Sequence, residues 1–378
     1  MNKQAGQSPT KRDIQVKMRK PDTEAVNKDF TRYDQVEKSH TYRLAESDSD
    51  EFDTDYPIQT FDLGRYLNGN KHDRKMFAEE FGAAVQEIGF SVLTGHGVEK
   101  ALYDEINDRT EELFTTTSIE DKMRFRASRF GSVSQGYFPI RETSDIHPDL
   151  VEGWVWCRRA FDMPQERSAG FRREDFWPDI RYEPIFRKLT NAHEKLFKPI
   201  AQAMFEGLGC EPHFYDKKLT NTNFGLRLNY YPPLKQLDDT HGAGRLLGHE
   251  DVDLFTILPA SKVGGLQVWN HHSQKWVRLD APEGSIIINT GDYMQRITND
   301  RLPSTSHRVG RPVDGSQHDT ARISFPIAVY VWEEEILEVL PGLGKPKYEP
   351  VKAITFHTRS TSKFYGDDYA VESPLEKS

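Results

Sequence analysis

Cysteine is nearly absent from the 378-residue chain. Cys157 and Cys210 are its only two, too few for a disulfide framework or a thiolate metal cluster, which points to a reduced, cytoplasmic setting. No apolar run approaches the roughly 20 residues of a membrane-spanning helix, and mean hydropathy is −0.71. Positive charge is also in deficit: 50 Lys and Arg face 59 Asp and Glu, for a net charge of −9. That balance disfavours nucleic acid as the main partner. The opening "MNKQAGQSPTKRDIQVKMRK" has no apolar h-region, so it does not read as a secretory signal. Glycine-rich phosphate loops and dinucleotide fingerprints are missing too. "GSVSQG" (131–136) is one residue too long for a Gly-x-Ser-x-Gly elbow.

What is present begins with a polar, acidic stretch, residues 1–54, without apolar periodicity, which predicts a flexible arm. A helical and strand region follows at 55–210. "YPIQTFDL" predicts a strand, and Phe77, Phe81, Ala84, Val85 and Ile88 recur at helical spacing. "FSVLTGHG" predicts a second strand, and Leu102, Ile106 and Leu113 a second helix. Ser118 with Asp121 reads as a cap for a third helix, and a long helix is expected from about 183 to 208, through Pro199. From Phe224 short apolar segments recur every ten residues or so, separated by "PP", "VGG", "HHSQ" and "APEG". That spacing predicts a β-sandwich or jelly roll over 211–335, with 336–378 as a carboxyl-terminal segment. Helices first and strands later argue against a doubly wound sheet. The expected class is α+β: a double-stranded β-helix (jelly-roll) core with N-terminal and supporting helices.

Three polar pairs sit two apart in strand-like segments: Asn229 with Tyr231, His249 with Asp251, and Arg322 with Ser324. Residues i and i+2 of a strand share a face, so each pair offers two polar groups to one side. With 13 histidines in the chain, one His-x-Asp arises by chance, and His147-Pro148-Asp149 is such a second match, read as a solvated loop. His249 and Asp251 gain weight from His307, 58 residues downstream, and from Arg322 a further 15 on. Two histidines and one carboxylate on one face form a facial triad with open positions. Such a set suits redox-active Fe(II) better than structural zinc.

This combination resembles the isopenicillin N synthase-like branch of the Fe(II)/2-oxoglutarate-dependent dioxygenases. The resemblance runs from "YPIQTFDL" to about residue 335, through "EIGFSVLTGHGV", "NYYPP", "GHEDVDLFTIL", "GGLQV", "GDYMQRITNDRLPSTSHRV" and "ARIS". It implies that His249, Asp251 and His307 ligate iron. It implies that Arg322, Ser324 and Tyr231 hold the distal carboxylate of 2-oxoglutarate, with Asn229 near its metal end. A guanidinium fork matches a carboxylate bidentately, which suits Arg322 to that task. The implied cosubstrates are 2-oxoglutarate and O2, the products succinate and CO2, and the partner a small organic molecule of specialised metabolism. The implied outcomes are hydroxylation, desaturation or ring closure, and neither nucleic acid nor membrane takes part.

Glu250 alternates away from the metal and is expected as a solvated charge, while Asp253 is the runner-up carboxylate ligand. The loop "DDTHGAGRLLGHE", with His241 and Arg245, reads either as a solvated turn or as a substrate-contacting loop. The organic substrate is expected against a wall from the 130–160 stretch. That wall includes Tyr137 and Phe138, with Phe130, Trp154, Trp156, Arg141 and Arg158 nearby. Tyr330 is expected to face inward, and "FHTRSTSKFYGDDY" to close over the site as a lid. Two other readings remain: an iron oxidase that does not use 2-oxoglutarate, and a non-catalytic small-molecule-binding barrel.

Overall fold

The computed structural model describes residues 32–33, 40–41, 46–130, 133–140, 149–158, 176–236 and 244–365. Arg141, His147, His241, the Phe130 side chain and the end of the expected lid lie outside the described residues.

Among these residues the first half carries β1 (Thr60–Asp62), α1 (Gly64–Asn68), α2 (Lys71–Ile88), β2 (Phe90–Thr94), α3 (Lys100–Thr116) and α4 (Ile119–Arg124). It continues with β3 (Ser128–Phe130), β4 (Val133–Phe138), β5 (Glu152–Cys157) and α5 (Tyr182–Gly207). The second half adds β6 (Phe224–Tyr231), β7 (Leu246–His249), β8 (Phe255–Pro259), β9 (Leu266–Asn270), β10 (Lys275–Arg278) and β11 (Ile286–Thr290). Then come α6 (Asp292–Ile297), β12 (His307–Val309), β13 (Arg322–Ser324), β14 (Ile327–Val329), β15 (Ile336–Leu337), β16 (Val351–Lys352) and α7 (Ala353–Tyr365).

Local sequence explains the helices. Asn70 accepts from the backbone N–H groups of His72 and Asp73 at 2.8 and 3.1 Å, and the Asp73 carboxylate accepts from Asn70 N in return. This capping box starts α2, and Gly89, at φ 72°, ends it in the left-handed region. Phe77, Phe81, Val85 and Ile88 are all buried on the face that the periodicity predicts. Each contributes about 1.5–3 kcal/mol through burial. α2 packs on α5 at closest approach where Gly82 meets Gly207: a Cβ on Gly82 would lie 2.8 Å from the Gly207 Cα.

Two sheets face each other. The ten-stranded sheet runs β1-β2-β11-β8-β14-β6-β5-β4-β3, with β13 also paired to β6. The four-stranded sheet runs β10-β9-β12-β7. Trp154, Trp156, Leu226, Leu228 and Tyr230 turn towards the helices and join Trp177, Phe186 and Phe197 in the main core. Their alternate neighbours Val155, Arg227, Asn229 and Tyr231 therefore face the space between the sheets. Part of that space is filled by Phe90, Val92, Leu266, Val268 and Ile287. The expected strand "ARISFPIAVYVW" is divided in two, β13 and β14, at Phe325 and Pro326. Proline brings no N–H to a ladder.

The polar arm ends earlier than residue 54. Trp276 N donates to the Glu51 carbonyl at 3.0 Å and Asp53 N donates to the Trp276 carbonyl at 2.9 Å. The Arg278 guanidinium lies 3.4 Å from the Phe52 ring centroid, and Asp50 pairs with buried Arg308 at 2.5 Å. The acidic run is docked here because its partners on the four-stranded sheet are a cation, an amide ladder and an aromatic surface.

Candidate active site

His249 ends β7 and stands directly opposite His307, the first residue of β12. Register thus joins two residues far apart in sequence, with ring centroids 4.3 Å apart. Nδ1 of His249 lies 2.9 Å from the Leu247 carbonyl, and Nδ1 of His307 lies 3.1 Å from that of Thr305. A carbonyl only accepts, so each Nδ1 carries a proton and each Nε2 is turned to the site. Burial, reinforced by His307, pushes His249 down to about 4, which leaves it neutral at physiological pH.

Asp251 reaches the same place by another route than strand alternation. β7 stops at His249, and Asp251 lies in the connection to β8. Its Oδ2 accepts from Thr256 Oγ1 at 2.7 Å and from Asn289 Nδ2 at 2.8 Å. Thr256 and Asn289 are register partners across β8 and β11, so the sheet itself fixes the carboxylate's rotation. Oδ1 is left 3.7 Å from His249 Nε2 and 3.9 Å from His307 Nε2. Burial alone would raise this carboxyl. The two histidines and the two hydrogen bonds outweigh it and hold Asp251 below the usual carboxylate range. One ligand atom from each of the three lies within 4.8 Å of the others, the sole such group among the described residues.

The neighbouring carboxylates take other roles than expected. Glu250 is not solvated: it is buried and accepts from Ser306 Oγ at 2.9 Å. Asp253 is fully buried, lies 2.8 Å from Thr256 Oγ1 and abuts Gly291, so it does not join the ligand group. Burial and the Asp251 charge push its carboxyl well above the usual range. Asp149, expected in a solvated loop, is buried and accepts from Leu247 N at 2.8 Å.

Arg322 and Ser324 lie opposite Tyr231 and Asn229 across β13 and β6, so the two expected pairs form one cluster. Asn229 Nδ2 donates to Ser324 Oγ at 3.3 Å, and the Arg322 guanidinium sits 5.0 Å from the Tyr231 ring centroid. Nε and Nη1 of Arg322 are buried without a hydrogen-bond partner. Burial pushes the Arg322 pKa down, against the pull of Tyr231.

Of the expected substrate wall, Tyr137 must be withdrawn. It packs on Trp154 at 5.9 Å within the helix-side core and donates to Glu152 Oε2 at 2.7 Å. Trp154 stacks on Trp177 at 5.7 Å, and Trp156 joins the same core. Arg158 donates to the Thr222 carbonyl and pairs with Glu194. Phe138, one residue on from Tyr137, faces the inter-sheet space with the Arg227 guanidinium 5.9 Å from its ring. Tyr330 lies against Gly225, with Cys157 beside it, and Asp253 and Asp251 are near enough to raise its pKa further beyond the effect of burial. In α7 the buried His357 contacts the Tyr293 hydroxyl at 3.1 Å and the Tyr330 ring at 5.6 Å. Sequence reasoning missed Arg227, although the spacing that selected Asn229 and Tyr231 reaches it two residues earlier. Arg227 Nε donates to Asn229 Oδ1 at 2.8 Å, its Nη2 is buried without a partner, and its charge acts on His249. Thr256 and Asn289 carried no local signal.

The model of the 2OG-Fe(II) oxygenase superfamily matches residues 222–329. That of the non-haem dioxygenase in morphine synthesis N-terminal domain matches 58–180. Feruloyl CoA ortho-hydroxylase 1 of Arabidopsis thaliana is 29% identical over 79% of this chain and 76% of its own length. The 2-oxoglutarate-Fe(II) type oxidoreductase ppzC of Metarhizium majus is 26% identical over 82% of this chain and 87% of its own. Among solved structures, a full-length Neurospora crassa protein in complex with alpha-KG and thymine superposes with a TM-score of 0.71 at 20% identity. The superposition covers 85% of this chain and 100% of the Neurospora chain. The chain belongs to the 2OG-Fe(II) oxygenase superfamily. It is a non-haem Fe(II)- and 2-oxoglutarate-dependent dioxygenase that oxidises a small organic substrate. The donors present fit the metal: two imidazoles and one carboxylate, with no thiolate, are a non-haem Fe(II) set. No helix among the described residues is long and apolar enough to cross a membrane.

Proposed function

We propose that His249, Asp251 and His307 hold Fe(II), and that Arg322, Ser324, Tyr231 and Asn229 hold 2-oxoglutarate between them and the metal. The observation that carries this assignment is the continuity of the cluster. A hydrogen-bonded chain runs from Arg227, whose charge reaches His249, through Asn229 to Ser324 beside Arg322, whose Nε and Nη1 lack partners. Fe(II), when bound, supplies the redox chemistry by which one O2 converts 2-oxoglutarate to succinate and CO2 and oxidises a substrate C–H bond. The chain's residues orient and shield. Arg322 grips a carboxylate through a planar fork and Ser324 adds a hydroxyl donor. The flanking apolar residues exclude water.

The substrate in this reading is a small amphipathic molecule of specialised metabolism, oxidised in the cytoplasm against Phe138 and Tyr330, with α7 behind Tyr330. The fungal and plant relatives support that class. Residues 55–210 brace the site, 211–335 form it, and α7 of the 336–378 segment backs it. The test is substrate-stimulated succinate release with Fe(II) and 2-oxoglutarate across a panel of small aromatic and amine-bearing compounds. His249→Ala and Asp251→Ala should reduce turnover to background with the circular dichroism unchanged. Full O2 consumption without 2-oxoglutarate would instead favour an oxidase, and failure to bind iron a silent barrel.

A further inference from the structure

Arg245 lies immediately before β7, in the loop that reads either as a solvated turn or as a substrate-contacting loop. It is only 2% exposed, as is Arg322. None of its three guanidinium nitrogens has a hydrogen-bond partner among the described residues. Its chain neighbour Leu246 packs against the cluster of Val151, Tyr231 and Val309, and Tyr231 is the register partner of Arg322. The Arg322 guanidinium lies 5.0 Å from the Tyr231 ring centroid, and the Arg245 charge interacts with both groups. Three nitrogens of Arg245 and two of Arg322 are unsatisfied.

Among the described residues, the carboxylates at this end, Glu46 and Asp149, already have partners. Glu46 attracts Arg245, but its oxygens accept from Gln267 Nε2 at 2.8 Å and from Arg311 N at 2.7 Å. Asp149 accepts from Leu247 N. Burial, and next the Arg322 charge, push Arg245 down to about 10, which leaves it protonated at neutral pH. Two buried cations that repel one another are costly unless an anion joins them. A carboxylate has about four lone-pair sites, enough for two guanidinium groups and a hydroxyl.

We propose that Arg245 is the second arm of a two-arginine clamp, and that the distal carboxylate of the dicarboxylate cosubstrate bridges Arg245 and Arg322. This rests on the assignment of Arg322 above. The clamp makes the distal carboxylate the main selection the site applies to 2-oxo acids. It also makes the empty protein electrostatically frustrated, so that cosubstrate binding and stability are linked.

The test uses full-length protein loaded with Mn(II) in place of Fe(II), without organic substrate. Calorimetry measures binding of 2-oxoglutarate and of pyruvate, which lacks the distal carboxylate. Arg245→Met should weaken 2-oxoglutarate by about tenfold or more, leave pyruvate unchanged, and raise the melting temperature of the ligand-free protein. Arg245→Lys, which keeps the charge but loses the fork, should fold and bind 2-oxoglutarate with intermediate affinity. If either Arg245 variant binds 2-oxoglutarate like the wild type while Arg322→Met does not, the clamp is wrong and the assignment of Arg322 stands. If Arg322→Met also binds like the wild type, the assignment itself fails. Should Arg245→Met and Glu46→Gln both lower the ligand-free melting temperature with 2-oxoglutarate affinity retained, Arg245 is a structural partner of Glu46 and the proposal is overturned.

Discussion

Asp251 shows how a side chain is aimed by residues that never touch the reaction. Asn289 and Thr256 take one of its oxygens, so only the other is free to face the two histidines. Asn289→Ala removes a donor without disturbing the β8–β11 backbone pairing. Metal affinity, titrated in the absence of substrate, should fall about 10–100-fold, with the melting temperature of the metal-free protein little changed. This support was invisible in the sequence, because Asn289 lies 38 residues from Asp251 and carries no motif. Still longer separations hid the burial of Glu250, satisfied by Ser306, and of Asp50, satisfied by Arg308. By contrast, alternation in Asn229-x-Tyr231 and Arg322-x-Ser324 was legible, since both pairs lie within real strands that share one register.

Periodicity served the elements well where one face alone was buried. α2 follows its apolar spacing from Phe77 to Ile88, and Ser118 caps α4 by accepting from Asp121 N as read. Strand alternation also states that Tyr137 and Phe138 cannot face the same way. Which of them turns to the site depends on where the helices lie, and that is a tertiary fact. The His249–Asp251 stretch misled in the opposite sense, because the strand stops between the two residues. Helix packing yields a sharper expectation at the Gly82–Gly207 crossing. Gly207→Ala would place a Cβ 2.3 Å from the Ala78 carbonyl oxygen and force α2 and α5 apart. The expected cost is about 1–3 kcal/mol in denaturant unfolding. Affinity for the metal should be retained, because this crossing lies on the far side of the large sheet from the triad.

At the scale of the whole molecule, both histidines belong to the smaller sheet while Asn229, Tyr231, Arg322 and Ser324 belong to the larger. The site depends on holding the two sheets in a fixed relation. Glu51–Asp53 lies along β10, the outermost strand of the smaller sheet on that side, and exchanges two backbone hydrogen bonds with Trp276. An outer strand left bare presents unpaired amides that template pairing with another chain. The acidic segment covers that edge by occupying the ladder at Trp276. Deleting residues 1–53 should convert a well-behaved protein into one that self-associates with rising concentration, as followed by light scattering. Restoring residues 46–53 alone should reverse it.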